Sequence, residues 1–375
     1  MSTYHSKRAK EFLKNPEGKI SRHDQTFWSC RQKRDAAAAL LPEWEELRDQ
    51  ASRIKAHTIT HLADYLEQFV TNLEKNGVIV HFAKDAQEFN EIAYGILETH
   101  KARKLVKSKS MLTEECGLNS YLMKRGIDVV ESDLGERILQ LMHLKPAHIV
   151  MPAIHLTRDE VGEMFEAKGI SKDIGNHDPT YLTYCARQSL RKDFMDADAG
   201  MTGCNFGVAA TGDCVVCTNE GNADMSTSVP KLHIVAMGLE KVVPDYASLA
   251  VFHRLLSRSG TGQPATSFTS HFRKPRPGAE MHVILVDNGR SDMIADAEHW
   301  ETLKCIRCGA CMNTCPVYRR SGGYSYSYFI PGPIGVNLGM LKDPRAHSGN
   351  VSACSLCLSC DCVCPAKVEP GSQIY

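Results

Sequence analysis

A chain of 375 residues is too long for one small domain and fits two or three. Lysine plus arginine number 44 and aspartate plus glutamate also 44, so charge gives no case for binding nucleic acid or an anionic membrane. Hydrophobic residues make up 43%, enough for a substantial core, yet no run approaches the roughly 18 continuous apolar residues that cross a bilayer. The N-terminus is polar, has no apolar core and carries Glu11 and Glu17, which reads as neither a secretory signal nor a transit peptide. The expected location is the cytoplasm, with the inner membrane face reached only through partners.

The segment from about Ala36 to Lys75 reads as helical. Leu62, Tyr65, Leu66, Phe69, Val70 and Leu73 recur at spacings of three and four, and Asn76-Gly77 supplies a stop. VIVHFA then reads as a buried strand, DAQEFNEIAYGILETHK as a helix, and KLVKSKS, GIDVVESD and AHIVMPAI as further strands. This alternation predicts an α/β domain with a largely parallel sheet. Phe206 to Asn219 is rich in small and β-branched residues, and HIVAMGLEKVV and MHVILVDNG add two strands. Between those two, RSGTGQPATSFTSHFRKPRPG reads as a polar loop. The expected division is a helical segment over 1–60, an α/β domain over 61–290 and a cysteine-rich domain over 295–375.

Fifteen cysteines are present, and nine lie between Cys305 and Cys364. A disulfide scaffold would be short and secreted, so the clustering points to metal. The first motif is Cys305-Ile-Arg-Cys308-Gly-Ala-Cys311-Met-Asn-Thr-Cys315-Pro316. The second runs through Cys354, Cys357, Cys360 and Cys364 to Pro365. Both are C-x2-C-x2-C-x3-C-P, the bacterial ferredoxin spacing in which the fourth cysteine ligates the other cluster. Three thiolates two residues apart wrap one cubane, and proline after the fourth fixes φ and redirects the chain. The spacing therefore expects two [4Fe-4S] clusters. One takes Cys305, Cys308, Cys311 and Cys364; the other takes Cys315, Cys354, Cys357 and Cys360. Zinc is the competing reading, but it favours two separated C-x2-C pairs closing one tetrahedron. Cys362 is extra and reads as a variable position beside the cluster, with a ligand swap left open. The 38 residues between Cys315 and Cys354 suggest the helical ferredoxin arrangement of larger dehydrogenases. Two clusters sharing ligands form a wire, which needs an electron donor and an acceptor.

Other candidates are weaker. Cys214 and Cys217 sit on a predicted strand, three apart and so on opposite faces, and with Cys204 read as buried small residues rather than a metal site. Cys30, Cys116 and Cys185 are isolated. His57 and His61 share an i, i+4 spacing without a third ligand. No G-x-G-x-x-G follows a strand and no P-loop motif occurs, so nucleotide binding lacks support. Two glycine-rich turns flank a short strand pair and outline a small-anion site at Gly203, Asn205, Thr218, Asn219, Glu220 and Asn222. Ordinary turn chemistry explains the same residues equally well.

The stretch TNEGNADMSTSVPKLHIVAMGLEKVVP, with RSGTGQ and VDNGRSDM ahead of CIRCGACMNTCPVYR, resembles the lactate-utilisation domain joined to a two-cluster ferredoxin. That order is similar to the L-lactate utilisation protein B family. The resemblance implies a first domain like the ribose-phosphate isomerase and CoA-transferase group. It implies two partner subunits, one with cysteine-rich repeats and one a lone lactate-utilisation domain, with indirect contact to the respiratory chain. Together they would oxidise L-lactate to pyruvate, this chain carrying electrons rather than performing the whole reaction. Two departures stand out. Ala209-Ala210-Thr211-Gly212 replaces the A-E-T-G common in that family, which puts a ligand site using that Glu in doubt, and the chain stops at Tyr375 where relatives usually continue, as a fragment or short variant would. Two readings remain beside it. One is a subunit serving another 2-hydroxy acid such as glycolate, or a quinone- or disulfide-linked reductase. The other is a redox sensor that binds a small anion.

Overall fold

The computed structural model describes residues 4–14 and 19–374. Among these residues ten strands form two sheets. The first contains β1 (Ile79–Ala83), β2 (Lys104–Lys107), β3 (Asp128–Glu131), β4 (Ala199–Gly203), β7 (Leu232–Gly238) and β10 (Glu280–Val286), in the order β1-β10-β7-β4-β2-β3. Every pairing in it is parallel. The second contains β5 (Phe206–Val208), β6 (Asp213–Thr218), β8 (Val242–Val243) and β9 (Phe268–Phe272), in the order β8-β5-β6-β9.

A parallel sheet covered on both faces needs strands that are apolar on both sides. β7, Leu-His-Ile-Val-Ala-Met-Gly, is buried along its whole length. Successive residues feed opposite cores. Ile234 and Ile284 pack with Phe89, Leu97 and Leu118 on one face. Val235, Val283 and Leu285 pack with Phe69 and Leu73 on the other.

The expected helical stretch divides into Trp44–Thr60 and Leu62–Lys75, broken at His61. Two expectations give way. AHIVMPAI is not a strand. The imidazole Nδ1 of buried His148 accepts the N–H groups of Val150 and Met151, both at 3.0 Å, and Ala147 N–H bonds Pro152 O, so the backbone curls on itself instead of joining a ladder. The expected polar loop from Arg258 to Gly278 is also more ordered than its composition suggests. RSGT closes the helix Tyr246–Thr261, and FTSHF forms β9 against β6.

The cysteine-rich region is helical and is not packed apart from the rest. Phe27, Ile59 and Ile149 share a core with Tyr318, Tyr326, Ile330 and Val368. Ile306, inside the first cysteine motif, packs with Phe206, Val215 and Phe252 of the second-sheet core. The cysteine-rich region and the α/β region therefore share cores rather than each burying its own. Among the described residues, no helix is long and apolar enough to cross a membrane.

Candidate functional site: two cysteine loops and an adjoining cavity

Both motifs fold into the same tight loop. Arg307 and Gly309 have φ of 60° and 80°, and Leu356 and Leu358, at the equivalent positions, have φ of 52° and 53°. The first cysteine of each loop accepts the N–H two residues on, Arg307 N to Cys305 Sγ and Leu356 N to Cys354 Sγ, both at 3.4 Å. The fourth cysteine of each motif lies just before a proline and accepts a later N–H: Tyr318 N to Cys315 Sγ at 3.5 Å, Val368 N to Cys364 Sγ at 3.3 Å.

The fourth cysteines cross over. Cys308 lies in the fields of Cys364 and Cys305, and Cys311 in those of Cys305, Cys308, Cys360 and Cys364. Cys315 lies in those of Cys354 and Cys357, and Cys360 in those of Cys315 and Cys354. A small enclosed cavity is lined by Cys305, Cys308, Cys311 and Cys364 together. A zinc tetrahedron, with Zn–S near 2.3 Å, would bring four sulfurs to about 3.8 Å from one another. Among the described residues, the one group of three or more His, Cys, Asp or Glu ligand atoms within 4.8 Å is His100, Glu280 and His282, remote in sequence from both motifs. The thiols converge but stand too far apart for a single zinc, which suits a four-iron cubane. Cys362 is exposed.

Cations flank the thiols of Cys305, Cys308, Cys311 and Cys364. Arg48 Nε donates to Cys364 O at 3.0 Å, and Arg34 Nη2 to Val363 O at 3.3 Å. Lys55 is buried, donates to Glu240 O, and is pushed down to about 7 by burial and then by Lys241. Burial alone would raise the Glu240 carboxyl; Arg290, Lys241 and Arg307 outweigh it and hold it well below the usual range.

Beside this loop lies a cavity of about 520 Å³. It opens at the carboxyl ends of the parallel strands, where α/β sheets place their ligands. Lys109 follows β2, Asp133 follows β3, Gly203 ends β4, Gly238 ends β7 and Arg290 follows β10, and all line it. Gly203, Asn205, Thr218, Asn219, Glu220 and Asn222 line this one space, and so does Cys308. Much of their polarity is turned on itself. Asn205 Oδ1 accepts Cys217 N at 2.9 Å, Thr218 Oγ1 donates to Glu220 O at 2.7 Å, and Asn219 Nδ2 donates to Gln263 Oε1 at 2.9 Å. Glu220 accepts Leu134 N at 3.1 Å and is pushed up to about 7 by burial and by Asp133. Asn222 Oδ1 is buried without a partner.

A polar bridge holds cavity and loop in register. Because His148 Nδ1 accepts two N–H groups, its Nε2 carries the proton and donates to Asn313 Oδ1 at 3.2 Å; Asn313 Nδ2 donates to Gly260 O at 2.8 Å. A Cβ on Gly260 would sit 2.7 Å from Cys308 O, so only glycine allows this close backbone approach.

The remaining candidates stay apart from this site. Cys214 is buried and Cys217 half-buried, and with Cys204 they bring no three ligand atoms within 4.8 Å. The His57 and His61 rings lie tilted against each other on the surface, centroids 4.4 Å apart. Ala210, where the family often has Glu, sits exposed in the β5–β6 turn and does not line the cavity. Sequence reasoning missed Arg307, Lys241 and Arg290. Arg307 lay in plain view as the one charged residue inside the first C-x2-C.

Fold and site define an α/β domain fused to a helical two-cluster module. The LUD domain model matches residues 66–294 and the 4Fe-4S dicluster domain model residues 301–368. Lactate utilization protein B of Shouchella clausii is 44% identical over 337 residues, 88% of this chain and 70% of that protein. Lactate utilization protein B of Oceanobacillus iheyensis is 43% identical over 92% of this chain and 73% of its own length. The uncharacterized electron transport protein YkgF of Escherichia coli K12 is 43% identical over 89% of this chain and 71% of its length. The chain belongs to the lactate utilization protein B family, and its cofactors are two [4Fe-4S] clusters.

Proposed function

We propose that this chain is the iron–sulfur electron-transfer subunit of a complex that oxidises L-lactate to pyruvate. The observation that carries the reading is Cys308, which belongs to the first cysteine loop and lines the same cavity as the Gly203–Asn222 turns. A substrate held there would be one residue's width from a cluster loop. The names of the relatives from Shouchella and Oceanobacillus supply the substrate.

In this reading Cys305, Cys308, Cys311 and Cys364 hold one cluster and Cys315, Cys354, Cys357 and Cys360 the other. The clusters supply one-electron carriage. The chain's own residues do the rest. The Asn313–Gly260 bond fixes the cavity against the loop, the apolar wall of Met111, Ile149 and Ile330 excludes water, and Gly203, Asn205, Thr218, Asn219, Glu220 and Asn222 shape the small-anion site. Residues 61–290 and 295–375 act as the two working units, with 1–60 as a helical brace. The partners are a cysteine-rich-repeat subunit and a lone lactate-utilisation-domain subunit, in the cytoplasm and feeding the respiratory chain.

Lactate oxidation removes two electrons and needs a two-electron acceptor with a general base, and the sequence carries no dinucleotide fingerprint. The isolated, cluster-loaded chain should therefore not turn over lactate, and adding both partners should give lactate-dependent dye reduction. Turnover by the chain alone at the rate of the full complex would overturn the division of labour.

A further inference from the structure

Four cations line the cavity: Lys109, Lys241, Arg290 and Arg307. Two are fully engaged. Lys109 Nζ donates to Val150 O at 2.9 Å and lies 3.4 Å from Asp133. Arg290 meets both oxygens of Glu115 at 3.0 Å, donates to Asp287 O at 2.9 Å and pairs with Glu240 Oε2.

The other two are not. Lys241 Nζ and Arg307 Nη2 both approach Glu240 Oε1, and both stop at 3.9 Å, beyond hydrogen-bonding range. Arg307 Nη1 is buried and has no partner at all. Their side chains are only 15% and 11% exposed, so water does little to solvate them. A buried guanidinium donor without an acceptor is costly and is rarely left so.

The carboxylates on the wall cannot make up the difference. Glu115 and Glu240 are held by Arg290, and Asp133 by Lys109. Glu220 has no cation within 4.0 Å among the described residues and is partly protonated near neutrality. On this stretch of the cavity wall three cations, Lys241, Arg290 and Arg307, share two carboxylates, Glu115 and Glu240. An anion is missing on the cavity side.

We propose that Arg307 and Lys241 form the carboxylate-binding pole of this cavity, holding the acid group of a 2-hydroxy or 2-oxo carboxylate against the first cysteine loop. The substrate class rests on the function proposed above; the pole itself rests on the unpaired cations. Arg307 suits the role because a guanidinium presents paired donors that match a carboxylate. Its φ of 60° is imposed by the cysteine loop, so the residue that wraps the cluster also faces the ligand. The competing role for these cations is to balance the charge of the cluster alone.

The test uses the full chain with both clusters reconstituted anaerobically, titrated calorimetrically with L-lactate, pyruvate and the neutral isostere L-lactamide. Both acids should bind, and L-lactamide should bind at least about tenfold more weakly, since it lacks the charge. Lys241→Met should weaken both acids by about tenfold, leaving iron per chain and L-lactamide binding unchanged. Arg307→Lys, which keeps the charge but loses Nη1, should weaken them as well. Equal binding of lactate and lactamide overturns the proposal. So does a Lys241→Met variant with unchanged acid affinity and a shifted cluster midpoint potential, which assigns the cations to the cluster. Dye reduction by the assembled complex is measured in parallel. A complex active on lactate whose isolated chain binds no acid overturns this inference and leaves the electron-transfer reading standing. Acid binding in a complex inert to lactate does the reverse.

Discussion

At the third position of the first cysteine loop stands Arg307; at the same position of the second stands Leu356. Two residues on, Gly309 corresponds to Leu358. All four have positive φ, and the N–H to sulfur bonds repeat at 3.4 Å. The backbone is thus set by the cysteine spacing and is nearly the same twice. The side chains are not. The first loop is plugged into the core of the second sheet through Ile306, has Lys55 and Lys241 beside it, and forms part of a cavity wall. The second leaves Cys357 exposed, with Leu356 at 46% and Leu358 at 43% exposure, and its nearby charge is the Asp361 carboxylate, 3.5 Å from Cys360 Sγ. One backbone has been turned into an inward-facing and an outward-facing site by the residues between its cysteines.

The harshest way to break the comparison is to delete one ligand from each loop. Loaded chain should carry about eight irons, four per cluster. Cys308→Ser and Cys357→Ser should each fall to about half, because each removes a ligand from a different cluster. Iron and sulfide analysis under anaerobic conditions reads this directly. Zinc in place of iron, or loss of all iron in both variants, would remove the basis for treating the loops as two sites.

A milder challenge sharpens it. Thiolates and sulfides open to solvent are oxidised and stripped first. Under a limiting chelator in air, iron should leave in two phases of equal size, the faster from the exposed Cys354–Cys360 loop. The fast phase should vanish in Cys357→Ser and persist in Cys308→Ser. A single phase in the unaltered chain would mean that burial does not separate the loops.

Much of this was legible in the sequence, and the reason is local chemistry. C-x2-C-x2-C-x3-C-P states its ligands and its crossover because the spacing is itself the geometry. The inner strands of the parallel sheet read as short apolar runs because they are covered on both faces; VIVHFA, expected to be buried, is instead an edge strand with Ile79 and Phe82 exposed. Glu220 and Asn222 could be picked out because glycine-rich turns announce themselves. What failed depended on distant partners. AHIVMPAI carries strand-like residues, but His148 claims its amides, and no periodicity reveals that. Lys241 and Arg290 are ordinary charges until the fold sets them around Glu240. The shared cores were not legible either, because Phe27 and Ile306 pack into clusters built mostly by distant parts of the chain.

The smallest expected effect is also the sharpest, since it places alanine at both equivalent positions. Gly309 has φ of 80°, and a Cβ there would stand 3.0 Å from His148 Cε1 and 3.2 Å from Val150 Cγ2. His148 cannot retreat. It is fully buried and held by Val150 N, Met151 N and Asn313 Oδ1. Gly309→Ala therefore adds left-handed strain of about 1–2 kcal/mol and a steric shift on top, for roughly 2–3 kcal/mol in all. Leu358 already carries a Cβ at φ 53° in the open, so Leu358→Ala adds no strain and trims only an exposed side chain, for less than about 1 kcal/mol. Denaturant midpoints read at the visible cluster absorbance should fall clearly for Gly309→Ala and barely for Leu358→Ala. Matched shifts in the two variants would show that the His148–Asn313–Gly260 bridge does not brace the first loop, and the inward-facing site would lose its rigid support.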